Sequence, residues 1–265
     1  MFAKRAVLFS ILATGVGLAQ SISLSAGCQS TLASLVVSPN SACLNPQALV
    51  GIVTADDNAS LVNPIDNWLS GQCSQPQCTN ETLANIVSTV TAGCQSDLQS
   101  LGFGNLSADE ITNVVQMAYP TVRKVACLSN QSNNTLCVTE TLNNVQSSVG
   151  TLSKTELQSL VSQISGGQLP DIPSSTLCTD CTKEGFNIVK TDFPSLVTSN
   201  IEGVVTNECS ADFVDGSTPS NIEQTANTAT ATPAGNASGS TMASLPVGIA
   251  FSAILTLTSA FALFV

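Results

Sequence analysis

The chain contains no histidine, and its 265 residues include one tryptophan and one tyrosine. The first absence removes Ser-His-Asp and Cys-His catalysis, together with every histidine-ligated metal site. With nine Phe these aromatics are too few for a stacking platform for sugars, and Trp68, on a segment with Ile65 and Leu69, reads as core. Positive charge is also scarce, with 7 Lys and Arg against 18 Asp and Glu and a net charge of −11. Beyond the first five residues the cations are Arg123, Lys124, Lys154, Lys183 and Lys190, which form no basic stripe. Nucleic acid is therefore not an expected partner. Arg123-Lys124 reads as an exposed face. Convincing period-two alternation is missing, so no sheet is expected.

What the chain does contain begins with its ends. A basic start, Met1-Phe2-Ala3-Lys4-Arg5, precedes an apolar stretch and the small residues Gly17-Leu18-Ala19. This pattern predicts a signal peptide over residues 1–19, cleaved before Gln20. Residues 245–265 carry no charge, and before them lie Gly235-Asn236-Ala237-Ser238 and a short polar spacer. Small residues, spacer and apolar tail form the signal for a glycosylphosphatidylinositol (GPI) anchor. Attachment is expected at Asn236, with Gly235 as the alternative, and removal of the tail 245–265.

Ten cysteines follow the signal segment: Cys28, Cys43, Cys73, Cys78, Cys94, Cys127, Cys137, Cys178, Cys181 and Cys209. An even count in an oxidising compartment predicts disulfides, and spacing leaves their connectivity open. A Cys-only zinc site outside the cell is a poor competitor, and no cofactor is expected. Sequons of the form N-x-S/T stand at Asn58, Asn80, Asn105, Asn130 and Asn133; one at Asn236 competes with the anchor.

Residues 216–244 turn to Thr, Ser, Ala, Gly and Pro, a composition that buries too little apolar area to offset ordering entropy. The segment reads as a flexible, O-glycosylated stalk, leaving residues 20–215 as the cysteine-rich domain. Within that domain the periodicity is helical. Leu83, Ile86, Val87 and Val90 recur at i, i+3, i+4 and i+7, as do Ile111, Val114, Val115 and Ala118, and Leu157, Leu160, Val161 and Ile164. Ser107 with Glu110 and Ser153 with Glu156 form capping boxes. Asn45-Pro46 and Asn63-Pro64 pair a capping Asn with Pro at the first helical position. Further helices are expected near 28–37, 135–149, 176–190 and 195–208. The expected fold is all-α, a disulfide-stapled bundle of short amphipathic helices.

Two echoes suggest degenerate helical repeats. Gly27-Cys28-Gln29-Ser30 returns as Gly93-Cys94-Gln95-Ser96. Cys78-Thr79-Asn80-Glu81-Thr82-Leu83 returns as Cys137-Val138-Thr139-Glu140-Thr141-Leu142, and more faintly from Cys181-Thr182-Lys183-Glu184.

Few residues suggest chemistry. Asp56-Asp57 and Asp109-Glu110 could serve a glycosidase, which needs two facing carboxylates. A helix start already accounts for Asp109-Glu110, and Asp56-Asp57 reads as loop. Cys178-Thr179-Asp180-Cys181 has redox spacing without the strand that a thioredoxin-like site requires, so two structural staples or one local bond explain it. Gly102-Phe103-Gly104 lacks the context of a phosphate loop.

Signal, cysteine-rich helical domain with sequons, stalk and tail together resemble the cysteine-rich GPI-anchored surface proteins of filamentous fungi. The resemblance is one of layout, with the GCQS echo and the tail as its specific elements. It implies a place at the plasma membrane or wall, held to the outer leaflet through lipid, with wall polysaccharide or surface proteins as partners. The chain lacks the adjacent cysteine pairs of hydrophobins and the tighter spacing of fungal haem-binding cysteine domains, so no functional residue carries over. The expected role is structural or adhesive and non-enzymatic. A carrier of a small apolar ligand is the alternative, and a carboxylate-based wall glycosidase ranks third.

Overall fold

The computed structural model describes residues 24–100, 103–165 and 172–229. The expected signal peptide, Gly102, the anchor residues Gly235 and Asn236, and the tail 245–265 lie outside them. Helix α1 (Ala26–Val36) starts where the Ser25 side chain accepts from the Cys28 N–H. Two 3-10 turns, Pro39–Leu44 and Pro46–Ala48, lead into α2 (Leu49–Val53). Then come α3 (Val62–Ser74), α4 (Asn80–Gly93), α5 (Gln95–Ser100) and α6 (Ala108–Ala126). A hairpin of β1 (Leu128–Asn130) and β2 (Thr135–Leu136) precedes α7 (Cys137–Val149) and α8 (Lys154–Ser165). Last are α9 (Ser174–Leu177), α10 (Asp180–Asp192), α11 (Ser199–Cys209) and β3 (Ile222–Gln224).

The start signals work as their chemistry requires. Ser107 Oγ accepts from the Glu110 N–H, and Glu110 returns a carboxylate oxygen to the Ser107 N–H at 2.8 Å. At Ser153 only half of the expected box forms: Ser153 Oγ accepts from the Glu156 N–H at 3.2 Å, while the Ser153 N–H donates to the Thr151 carbonyl at 2.8 Å. Each such cap stabilises its helix by about 1 kcal/mol. Two expected caps behave differently. Asn45 sits at φ 50°, a left-handed geometry that Asn tolerates, and its amide donates to the Trp68 carbonyl instead of capping the turn at Pro46. Helix α3 begins one residue before Asn63, with Ser60 Oγ accepting from the Val62 N–H. The helix expected near 176–190 is broken: α9 ends at Leu177, capped by Cys178, and Thr179 opens α10 with its own capping box.

Helix α6 packs against both α4 and α10, and α7 packs against α3 and α10. Ile52, Leu61, Ile65, Trp68 and Leu69 form the largest apolar cluster, closed over by Leu136, Val138, Leu142 and Leu157. Trp68 is core, as its neighbours suggest, and its indole N–H reaches the Leu44 carbonyl at 2.9 Å. Sulfur supplies much of the remaining interior, since Cys28, Cys43, Cys73, Cys78, Cys94, Cys127, Cys137 and Cys181 are all buried.

All ten cysteines pair: 28–94, 43–78, 73–127, 137–181 and 178–209. By loop-closure entropy each bridge is worth about 4 kcal/mol against the unfolded chain. The first three loops overlap and lock residues 28–127 into one block. The last two overlap and lock residues 137–209 into another. No bridge crosses between the blocks. They are joined by the hairpin, by the apolar cluster and by polar contacts such as Leu61 N to Leu152 O at 2.9 Å and Thr139 Oγ1 to Asp66 at 2.5 Å.

The disulfide-stapled helical fold is therefore present, with one addition, a three-stranded antiparallel sheet in the order β2-β1-β3. Strands of two and three residues are too short to show alternation in the sequence. The third also redraws a boundary. Composition places the stalk from residue 216, yet the fold keeps the chain as far as Ala229: Ile222 pairs with Asn130 and is buried. Ile222 is the one Ile, Val or Leu in 216–244, and a composition average conceals a single anchor. The second sequence echo also diverges locally. Cys78 precedes the cap Thr79 of α4, whereas Cys137 is itself the first residue of α7.

Candidate functional site

The residues that sequence pattern singles out are drawn into structural work. Cys178 bonds Cys209 and Cys181 bonds Cys137, so the C-x-x-C motif is two staples reaching different helices and holds no dithiol. Glu110 serves the α6 capping box beside the exposed Asp109. Asp57 is exposed and 3.8 Å from Lys154 Nζ, and its carbonyl accepts from the Thr155 N–H. Tyr119 is buried, with its hydroxyl accepting the Cys78 N–H at 3.0 Å.

The cations are spent in the same way. Lys154 donates to the carbonyls of Val53 and Ala55 at the end of α2, at 2.7 and 2.6 Å. Lys124 pairs with Asp192 at 2.8 Å, Lys183 with Asp215 at 3.0 Å and Lys190 with Glu202 at 2.8 Å. Arg123 overturns the exposed-face reading, because it is only 3% exposed. Its guanidinium donates to the carbonyls of Gln72 at 2.8 Å, Gln75 at 2.5 Å, Cys73 at 3.4 Å and Asn227 at 3.3 Å. Three of these lie at or just past the C-terminus of α3, where the helix dipole is negative. Five donors in a planar fork suit such a cluster of oxygens.

Arg123 thereby clamps a strap that sequence reading missed. From Ser217 to Ala229 the chain runs across both disulfide blocks. Asn187 Nδ2 donates to Ser217 O at 3.0 Å on the second block. Gln131 N donates to Asn221 O at 2.8 Å on the hairpin, and β3 pairs with β1. Thr225 donates its N–H and hydroxyl to the Cys127 carbonyl. Asn227 donates to the carbonyls of Cys73 and Ser74, and Gln77 N–H closes on Ala229 O at 3.0 Å on the first block. The last described residues of the strap thus lie against Cys73, Ser74 and Gln77, next to the Cys73–Cys127 bridge.

Hydrogen bonding sets the acidity of four carboxyls. The Ser217 N–H and hydroxyl, with Lys183, hold Asp215 down to about 2. Lys124 and Thr121 lower Asp192, Ser25 lowers Asp97, and the Ser107 N–H lowers Glu110. All four are held as anions bound to donors, the state of a structural anchor and the reverse of a poised acid.

The sequon asparagines Asn58, Asn80, Asn105 and Asn133 are exposed, and Asn130 is half-buried. Asn130 and Asn133 share one acceptor: both side-chain amides donate to Glu140 Oε2, at 2.8 and 2.9 Å. No helix among the described residues is long and apolar enough to cross a membrane. Protein-family models, curated proteins and solved structures yield no match to this chain.

Proposed function

We propose that this protein is a non-enzymatic cell-surface glycoprotein, held by a GPI lipid on the outer face of the plasma membrane, with a structural or adhesive role there or in the wall. The observation that carries the reading is the pairing of all ten cysteines within one helical fold. Bridges of this density belong to oxidising compartments outside the cytosol. The strap supports it as well, because a displayed domain must meet its tether at a point that does not unravel. Partners would be wall polysaccharide or neighbouring surface proteins, approached by a glycan-bearing acidic surface.

The test is expression of the full chain in a fungal host, followed by phosphatidylinositol-specific phospholipase treatment. Release of the protein into the medium is expected, and the released form should retain wall glucan, chitin or neighbouring cells in pull-down and aggregation assays. Retention on the membrane after treatment would overturn the anchor. A stoichiometric lipid seen by native mass spectrometry would replace the adhesive role with that of a carrier.

A further inference from the structure

We propose that the folded protein discriminates between its two adjoining sequons: Asn133 carries an N-linked glycan and Asn130 carries none. The inference rests on the secreted reading above, since the sugar donor is an oligosaccharide on a lipid pyrophosphate of the secretory route. In that transfer a bond forms between the asparagine Nδ2 and the sugar C1. The bond from C1 to the pyrophosphate oxygen breaks, one amide proton is lost and the lipid pyrophosphate departs. No oxidant or reductant is involved.

The two amides begin alike and end differently. Each Oδ1 accepts a backbone N–H two residues on, from Ser132 at 3.0 Å and from Thr135 at 3.0 Å. Each Nδ2 donates to Glu140 Oε2. Asn133, however, lies exposed in the turn between β1 and β2. After modification its nitrogen still has one hydrogen, so the bond to Glu140 survives and orients the first sugar.

Asn130 sits on the central strand, flanked by Thr135 on β2 and by Ile222 on β3. It is half-buried, and Asn221 of the strap brings its own amide to Asn130 Oδ1 at 3.5 Å. A sugar on Asn130 Nδ2 would have to share this space with the strap. The strap meets this side chain at Oδ1, beside the nitrogen that would carry the sugar, so a glycan at Asn130 would compete with the docking of β3. Both amides also converge on the same Glu140 oxygen, Oε2, and two glycans three residues apart would crowd it.

The experiment uses the full chain secreted from a eukaryotic host, with glycans released enzymatically in ¹⁸O-water and the labelled sites mapped by peptide mass spectrometry. Label is expected at Asn133 and not at Asn130. Two variants give a second measurement without touching either asparagine. Ser132→Ala destroys the Asn130 sequon while keeping the backbone N–H that the turn uses, and should leave glycan number unchanged. Thr135→Ala should remove one glycan. Label at Asn130, loss of a glycan in Ser132→Ala, or a bare Asn133 beside glycosylated Asn58, Asn80 or Asn105 would each overturn the inference alone. Absence of glycan from every sequon would overturn the secreted reading and the inference with it.

Discussion

Cys28 and Cys94 occupy corresponding places in the two Gly-Cys-Gln-Ser copies, and they are bonded to each other with Cα atoms 4.3 Å apart. The duplicated segments therefore face one another. Thr31, on the first copy, packs so closely on Gly93 that a Cβ there would stand 1.9 Å from Thr31 Oγ1. Its counterpart Asp97 reaches back to the Ser25 N–H and hydroxyl at 2.8 and 2.7 Å.

The two glycines of the echo should consequently respond in opposite ways. Gly93→Ala should destabilise by about 1–3 kcal/mol, as overpacking does, with partial rescue by Thr31→Ala. Gly27→Ala meets nothing nearer than 3.5 Å and should be neutral or stabilising by up to about 1 kcal/mol. Denaturant melts under non-reducing conditions measure both, and equal effects would contradict the facing arrangement.

Arg123→Met should cost about 2–4 kcal/mol, because four buried or half-buried carbonyls lose charged donors at once. Arg123→Lys should restore only part, lacking the fork. Amide exchange should quicken across residues 225–229 in both variants. Unchanged protection there would mean that the guanidinium does not hold the strap.

Ile222→Ala removes a 7% exposed side chain from the cluster of Leu128, Cys137 and Cys181. It should free residues 217–229 to protease while the bridged helices stay intact, at a cost of about 2–5 kcal/mol at most. Mass analysis of limited digests gives the answer: cleavage within the strap in the variant and protection in the parent.

Cys178 and Cys209 are the only two cysteines not buried. Reagent access favours their bridge in thiol–disulfide exchange. Brief treatment with a small phosphine followed by alkylation should label Cys178 and Cys209 before any other pair. First labelling at Cys28 and Cys94 would be incompatible with the burial seen here.

Acid should loosen the strap anchor first. The Asp215 carboxyl is lower in the folded protein than in the open chain, so its contribution is complete above the ordinary carboxylate range. It is lost as pH falls from about 4 toward about 2. Asp192 has the same sign through Lys124. Amide exchange at residues 215–217 should therefore rise over that interval, and Asp215→Asn should abolish the dependence. A flat profile in the parent would sink the assignment.

By itself the sequence determined that this chain is helical and that its sulfurs pair. Periodicity and caps act within a few residues, so Ser107 and Glu110 announce α6, and an even set of ten cysteines announces bridges. Tertiary structure alone decided which sulfurs meet, because bonding requires Cα atoms within about 7 Å, a condition set by distant segments arriving together. It also decided that Arg123 is a buried clamp beside an exposed Lys124, since adjacent residues on a helix point in different directions. The strap was hidden for a related reason. Its bonds reach Cys127 and Cys73, about a hundred residues or more upstream, and a run of Thr, Ser and Ala shows its destination only when that surface exists.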